Sequence, residues 1–212
     1  MRIVFQQELS DVQAGLVEIA ELVTTAIEGA TRAFTTSDVT LAQLVIENDK
    51  KIDDLALSLD EKVTDILARQ QPVASDLRLM VSALRMSSSL ERMADLAQHI
   101  AELARYRYPT SAIPAGFEAT FERMGQLDVE MARLTVQLLQ RQEVETIEKL
   151  RSLDDELDSL HSEIFTRLLS ERLEKAENVV DSTLASRYHE RFGDHAVSIS
   201  KQLNYFLSGH AE

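Results

Sequence analysis

Acidic residues recur in this chain at a spacing suited to gripping cations. Glu91 and Asp95 are four residues apart, and so are Asp49 and Asp53, so each pair shares one face if its segment is helical. The same spacing returns further along, in Asp154 with Asp158 and in Glu190 with Asp194. Oxygen-only ligand sets suit hard or borderline ions such as Mg, Ca, Mn and Fe better than Zn or Cu. A single acidic pair is ordinarily just a solvated helix face. Eight acids held in register are different, because like charges gathered at one level repel unless solvent or a bridging cation offsets them.

The register comes from a duplication. AFTTSDVTLAQLVIENDKKIDDL aligns with LLQRQEVETIEKLRSLDDELDSL at a constant offset of 105 residues, pairing Asp49 with Asp154 and Asp53 with Asp158. SLERMADLAQHI aligns with YHERFGDHAVSI at an offset of 99, pairing Glu91 with Glu190 and Asp95 with Asp194. The unit is too long for a common solenoid repeat and indicates duplication of a three-helix unit. Helical periodicity predicts segments over 5–35, 38–70 and 76–106, then 117–141, 143–173 and 177–207. The expected fold is all-α, two tandem repeated three-helix bundles: residues 1–108, a Pro/Gly linker at 109–116 (Pro109, Pro114, Gly116), and residues 117–212. Thr36, Ser37 or Asp38 is expected to cap the second segment, and Ser75 or Asp76 the third, with Arg78 pairing on the surface.

The turns set the acids at matching heights. In an antiparallel hairpin folded at Pro72, both first-half pairs stand about 21 residues, or roughly 30 Å, from the turn. The second-half pairs centre in the same way on a weakly marked turn at Glu174. On a helical wheel Glu91, Asp95 and Glu102 lie nearly opposite Leu90, Met93, Leu96, Ala97 and Ile100, so their face is expected to point away from the core.

Composition narrows the function classes. With 44% hydrophobic residues, 6 Gly, 3 Pro and no Trp, the chain is built for long helices around a sizeable core. No cysteine means no thiol nucleophile, disulfide or zinc ribbon, which fits a reducing, cytoplasmic setting. No apolar stretch is long enough to span a bilayer, and MRIVFQQELSDVQ turns polar too early for a secretory signal. A net charge of −14 without a basic patch argues against nucleic acid as a partner. His189 and His195 flank an acidic pair, but their counterparts are Leu90 and Leu96, so each reads as a partly buried histidine hydrogen-bonded within the bundle. His161 follows Asp158 at a three-residue spacing, with Ala56 as its counterpart. No Glu-x-x-His occurs, which weighs against a di-iron oxidase, and no phosphate loop or nucleophile elbow is present. Arg85, Arg92, Arg187 and Arg191 stand near the acids and offer salt bridges as an alternative to metal.

VIENDKKIDDL, RQQPVASDLRLM, LERMADLAQHIAEL and SRYHERFGDHAVSISKQL together resemble the PhoU family, its actinobacterial PhoY branch in particular, over essentially the whole chain. The first copy reads Glu-Arg-Met-Ala-Asp where the family usually has E-R-I-G-D, with both acids retained. The resemblance implies a homodimer with multinuclear metal clusters on the carboxylate faces, held by Asp49, Asp53, Glu91, Asp95, Asp154, Asp158, Glu190 and Asp194. The ion, divalent or ferric, is left open among Fe, Mn, Mg and Zn. The resemblance also implies a non-enzymatic role: a cytoplasmic negative regulator of phosphate uptake and starvation signalling, linking the ATPase subunit of the phosphate ABC transporter to a sensor histidine kinase. Two other readings stand beside it, a carboxylate-bridged metalloenzyme and a metal-free helical scaffold held by Arg–carboxylate pairs.

Overall fold

A computed structural model describes residues 2–170 and 175–209, and among them the only regular elements are six α-helices. They are α1 (Arg2–Thr36), α2 (Val39–Gln70), α3 (Ser75–Arg107), α4 (Glu118–Arg141), α5 (Glu145–Ser170) and α6 (Ala176–Ser208). These follow the segments expected from periodicity closely, and the expected turn at Glu174 lies outside the described residues. Apolar residues alternate three and four apart along α1 (Val12, Leu16, Ile19, Val23, Ile27, Ala30, Phe34), giving one stripe to bury. α1 packs on α2 and α3, and α4 on α5 and α6, so each half closes its own three-helix bundle.

The halves also pack on each other, α1 against α4 and α3 against α6, and one hydrophobic core runs through both. Thr31 meets Gly125, and Phe34 stacks edge-on to Phe121 at 5.4 Å. Between α3 and α6, His99 lies against Tyr188 at 5.1 Å and Arg85 donates to Gln202 at 3.3 Å, which fixes an antiparallel pairing. Residues 109–116 do more than connect: Ala112, Ile113 and Pro114 are buried, and Arg167 lies over the Phe117 ring while donating to the Gly116 carbonyl at 2.9 Å.

Asp38 caps α2 by accepting from the Leu41 N–H at 3.0 Å. The expected cap of α3 is not formed by Ser75 or Asp76. Ala74 holds the N-cap position at positive φ without a side-chain bond, and Asp76 sits in the first turn, where its charge complements the helix dipole. Arg78 lies against the Gly209 end of α6 and makes no ion pair with Asp76.

Candidate metal-binding carboxylate sites

The buried stripe of α2 runs Ala42, Val45, Asp49, Ile52, Ala56, Leu59, Val63, Ile66, so Asp49 occupies a position the helix otherwise gives to the core. In α5 the series Ile147, Leu150, Asp154, Leu157, His161, Ile164 repeats this, with Asp154 in the same slot. A carboxylate seated this way is pulled towards the neighbouring helix instead of towards solvent. Asp49 is 8% exposed, and the α3 face bearing Glu91 and Asp95 is half-buried against α2. The acidic face of α3 therefore does not point wholly away from the core as the wheel suggested, because α2 covers its edge.

In the first half, Asp49, Asp53 and Asp95 each offer an oxygen, and these oxygens lie within 4.8 Å of one another. Burial, and then the charges of Asp53, Asp95, Glu102 and Glu91, push the Asp49 carboxyl up to about 6. Asp53 is raised by burial and then by Asp95, and Glu91 by burial and then by Asp53 and Asp95. In the second half Asp154 is likewise pushed up to about 6, by burial and then by Asp158, Asp194, Asp155 and Glu190. Burial also raises Asp158 and Glu190. All eight predicted acids thus gather into two groups of four that repel internally. Among the described residues the tight three-oxygen convergence occurs in the first group alone, without Glu91.

The donor set fits a hard cation. Among the described residues Asp154 Oδ1 and Glu190 Oε2 are buried without any hydrogen-bond partner, and Asp49 makes no hydrogen bond or ion pair. Arginines satisfy only part of the charge: Arg92 pairs with Asp95 at 2.8 Å and Arg187 pairs with Glu190, while Arg85 turns to Gln202. One guanidinium for four carboxylates leaves the repulsion largely standing. The cradle of the second group is tight, since a Cβ at Gly193 would lie 2.7 Å from Asp154 Oδ1 and 2.8 Å from Leu157 Cδ2.

His189 is buried and hydrogen-bonded, its Nδ1 at 2.5 Å from Asp128 Oδ2, and its ring lies 6.3 Å from both Phe34 and Phe121. Asp128, also fully buried and pushed up to about 6 by that burial, with His189 opposing the rise, was missed in the sequence. The available signal was an acid in the apolar stripe of α4, between Met124 and Met131. His161 bonds Ser186 Oγ at 3.1 Å. His195 is half-buried, as expected, but makes no hydrogen bond among the described residues; burial and then the charge of Arg191 hold its imidazole below the ordinary histidine value.

A family model described as the PhoU domain matches this chain twice, over residues 16–104 and again over 121–203. The chain belongs to the PhoU family. The PhoU homolog 2 of Mycobacterium tuberculosis is 36% identical over 210 residues, covering 99% of each chain. The PhoU homolog of Rhizobium meliloti is 28% identical, covering 97% of this chain and 87% of its own. The crystal structure of PhoU from Pseudomonas aeruginosa superposes with a TM-score of 0.89 at 29% identity, covering 97% of this chain and 100% of that one. PhoU of Streptococcus pneumoniae shares the fold at 23% identity and a TM-score of 0.86, covering 98% and 99%. Both PhoU-domain matches contain their four acids, so each copy carries one carboxylate group.

Proposed function

We propose that this chain is a phosphate-transport accessory protein that keeps phosphate-starvation signalling off when phosphate is plentiful. It acts in the cytoplasm as a homodimeric adaptor between the ATPase subunit of a phosphate ABC transporter and a sensor histidine kinase, and it is not an enzyme. The observation that carries this reading is whole-length similarity to relatives named phosphate-specific transport system accessory proteins, such as PhoU homolog 2 of Mycobacterium tuberculosis. No helix among the described residues is long and apolar enough to cross a membrane, which agrees with action through a transporter's peripheral subunit.

Within this function Asp49, Asp53, Glu91 and Asp95 hold one metal centre, and Asp154, Asp158, Glu190 and Asp194 another, for a divalent or ferric ion such as Fe, Mn, Mg or Zn. Bound metal would neutralise the gathered carboxylates and lock α2 to α3 and α5 to α6. The competing scaffold reading has the Arg92–Asp95 and Arg187–Glu190 pairs in its favour, yet among the described residues it leaves three of four acids in each group without an ion pair. Deleting the gene together with any paralogue is expected to switch on phosphate-starvation genes in rich phosphate, and normal repression in that strain overturns the proposal. Sedimentation is expected to give twice the chain mass of 23.9 kDa, whereas a monomer at tens of micromolar rejects the dimer.

A further inference from the structure

We infer that the outer seam between α1 and α2 is a docking groove for an amphipathic helix of a partner protein, with an apolar ridge flanked by Lys or Arg. The inference rests on the adaptor reading for its protein partner and is independent of the metal reading. Leu44, Asn48 and Lys51 line the α1 side of α2, whereas Asp49 and Asp53 turn to α3. A cavity of about 240 Å3 opens in this seam, walled by Leu22, Ala26 and Gly29 of α1 and by Leu41, Leu44 and Val45 of α2. Leu44 is 52% exposed, so the chain itself leaves this apolar rim uncovered. A second cavity of about 320 Å3 lies further along the same seam, beside Gly15 and Leu59. Gly29 and Gly15 stand about four turns, or roughly 20 Å, apart along α1.

Size, spacing and charge select the occupant. Each cavity suits one or two apolar side chains and stands at or below the lower end of small-molecule pockets. Anchors several turns apart match one face of a helix laid along the groove between two antiparallel helices. On the rim Glu18 and Glu21 of α1 and Glu47 and Asp54 of α2 are exposed, and among the described residues they make no ion pair. Lys51 and Arg32 are the bases beside them, so the rim is acidic on balance, as is the chain with its net charge of −14. A second copy or an anionic lipid surface brings like charge to this rim, whereas a helix flanked by Lys or Arg complements it.

The second half closes the equivalent seam. At the same offset of 105, Met131 and Leu134 are buried where the first half has only Ala26 and Gly29. Glu130 and Lys149 replace Thr25 and Leu44, and they join α4 to α5 in an ion pair at 2.8 Å. Arg123 and Glu156 form a further pair at 2.7 Å, in the places held by Glu18 and Lys51, which do not pair among the described residues. The α1–α2 seam is built on the same plan without that filling and without those bridges.

The test transplants that closure into the full-length protein: Thr25→Glu/Leu44→Lys carries the Glu130–Lys149 pair to the first half at unchanged net charge and exposed positions. Binding is followed by fluorescence anisotropy with a labelled helical peptide of about 18 residues, a Leu ridge flanked by Lys, at about 0.15 M salt. The wild type is expected to bind this peptide saturably, and to bind a control with Glu in place of Lys about tenfold more weakly. Thr25→Glu/Leu44→Lys is expected to keep the wild-type Tm and to weaken Leu/Lys binding about tenfold or more. Glu18→Gln/Glu47→Gln is expected to weaken it several-fold and to flatten its salt dependence. No saturable binding by the wild type, or equal binding by Thr25→Glu/Leu44→Lys, overturns the inference. Equal binding of the two peptides overturns the basic partner, and a sedimentation shift from dimer to monomer in Thr25→Glu/Leu44→Lys gives the groove to a second copy instead. Both genes are also returned to the deletion strain, where the groove variant is expected to leave phosphate-starvation genes on in rich phosphate. If the wild type fails to restore repression the adaptor reading falls; if both restore it equally, the inference alone falls.

Discussion

Around Asp49, Asp53, Glu91 and Asp95 the first half adds acid at both ends of the seam, with Asp60 on one side and Glu102 on the other. At the matching places around Asp154, Asp158, Glu190 and Asp194 the second half has Phe165 and Lys201. Between the acids of the third helix of each copy stand Ala94 in the first half and Gly193 in the second, where a Cβ would force Asp154 and Leu157 to shift. Beneath the sites the contrast reverses. Leu90 and Val23 are buried where the second half, at the same offsets, buries His189 and Asp128. Duplication kept the eight acids and let their surroundings diverge, so the ligand set is held by one constraint and the two cores by others.

The largest expected effect breaks the buried pair. His189→Leu alone leaves the Asp128 carboxyl buried with no partner and is expected to cost about 3–5 kcal/mol in urea unfolding. Adding Asp128→Val gives the second half the residue types of the first and is expected to restore or exceed wild-type stability. A single variant within about 1 kcal/mol of wild type contradicts this account of the pair.

Next comes the cradle. Gly193→Ala forces Asp154 and Leu157 to shift and is expected to cost about 1–3 kcal/mol while weakening metal binding in the second half only. The mirror change, Ala94→Gly, involves no clash and is expected to cost about 1 kcal/mol from helix propensity. Equal effects of the two on metal content would erase the difference drawn between the sites.

Acidity tests what the halves share. Asp49 and Asp154 are both raised to about 6 in the folded chain, so the folded state binds more protons than the unfolded state between about pH 4 and 6. Their contribution to metal-free stability is therefore full below the unfolded pKa and is lost as pH rises through 6. The Tm in EDTA is expected to be several degrees lower at pH 7 than at pH 5. Metal requires deprotonated ligands, so its stabilising increment is expected to grow over the same interval. A Tm in EDTA that is flat or rising from pH 5 to 7 contradicts the burial of these two carboxyls.

The smallest effect concerns the arginines. Arg92 is 61% exposed, and Arg92→Ala is expected to change stability by about 0–1 kcal/mol. A loss of several kcal/mol would favour the metal-free scaffold.

Most of the fold was legible because six apolar stripes and an internal repeat leave little choice of architecture. The positions of the eight acids were equally legible, since the repeat pairs them by number. The depth at which they sit was not. That depth depends on Asp49 falling in the buried stripe of α2 and on Asp154, half-buried, standing between Leu150 and Leu157 of α5, which a wheel drawn for α3 alone does not reveal. Asp128 escaped notice for a related reason: its partner His189 lies 61 residues away, and only the packing of α4 on α6 joins them. The cap at Ala74 could not be read either, because the chain there takes an unusual backbone conformation in place of a side-chain bond.

The central claim, that the duplicated carboxylate groups are metal centres, is tested most directly by elemental analysis of protein purified without chelator or metal-affinity resin. The wild type is compared with Glu91→Ala/Asp95→Ala and Glu190→Ala/Asp194→Ala. The account predicts stoichiometric metal in the wild type, with each double variant losing the share of its own half and keeping the other. No bound metal in the wild type, together with a Tm unmoved by Fe, Mn, Mg or Zn, would contradict it.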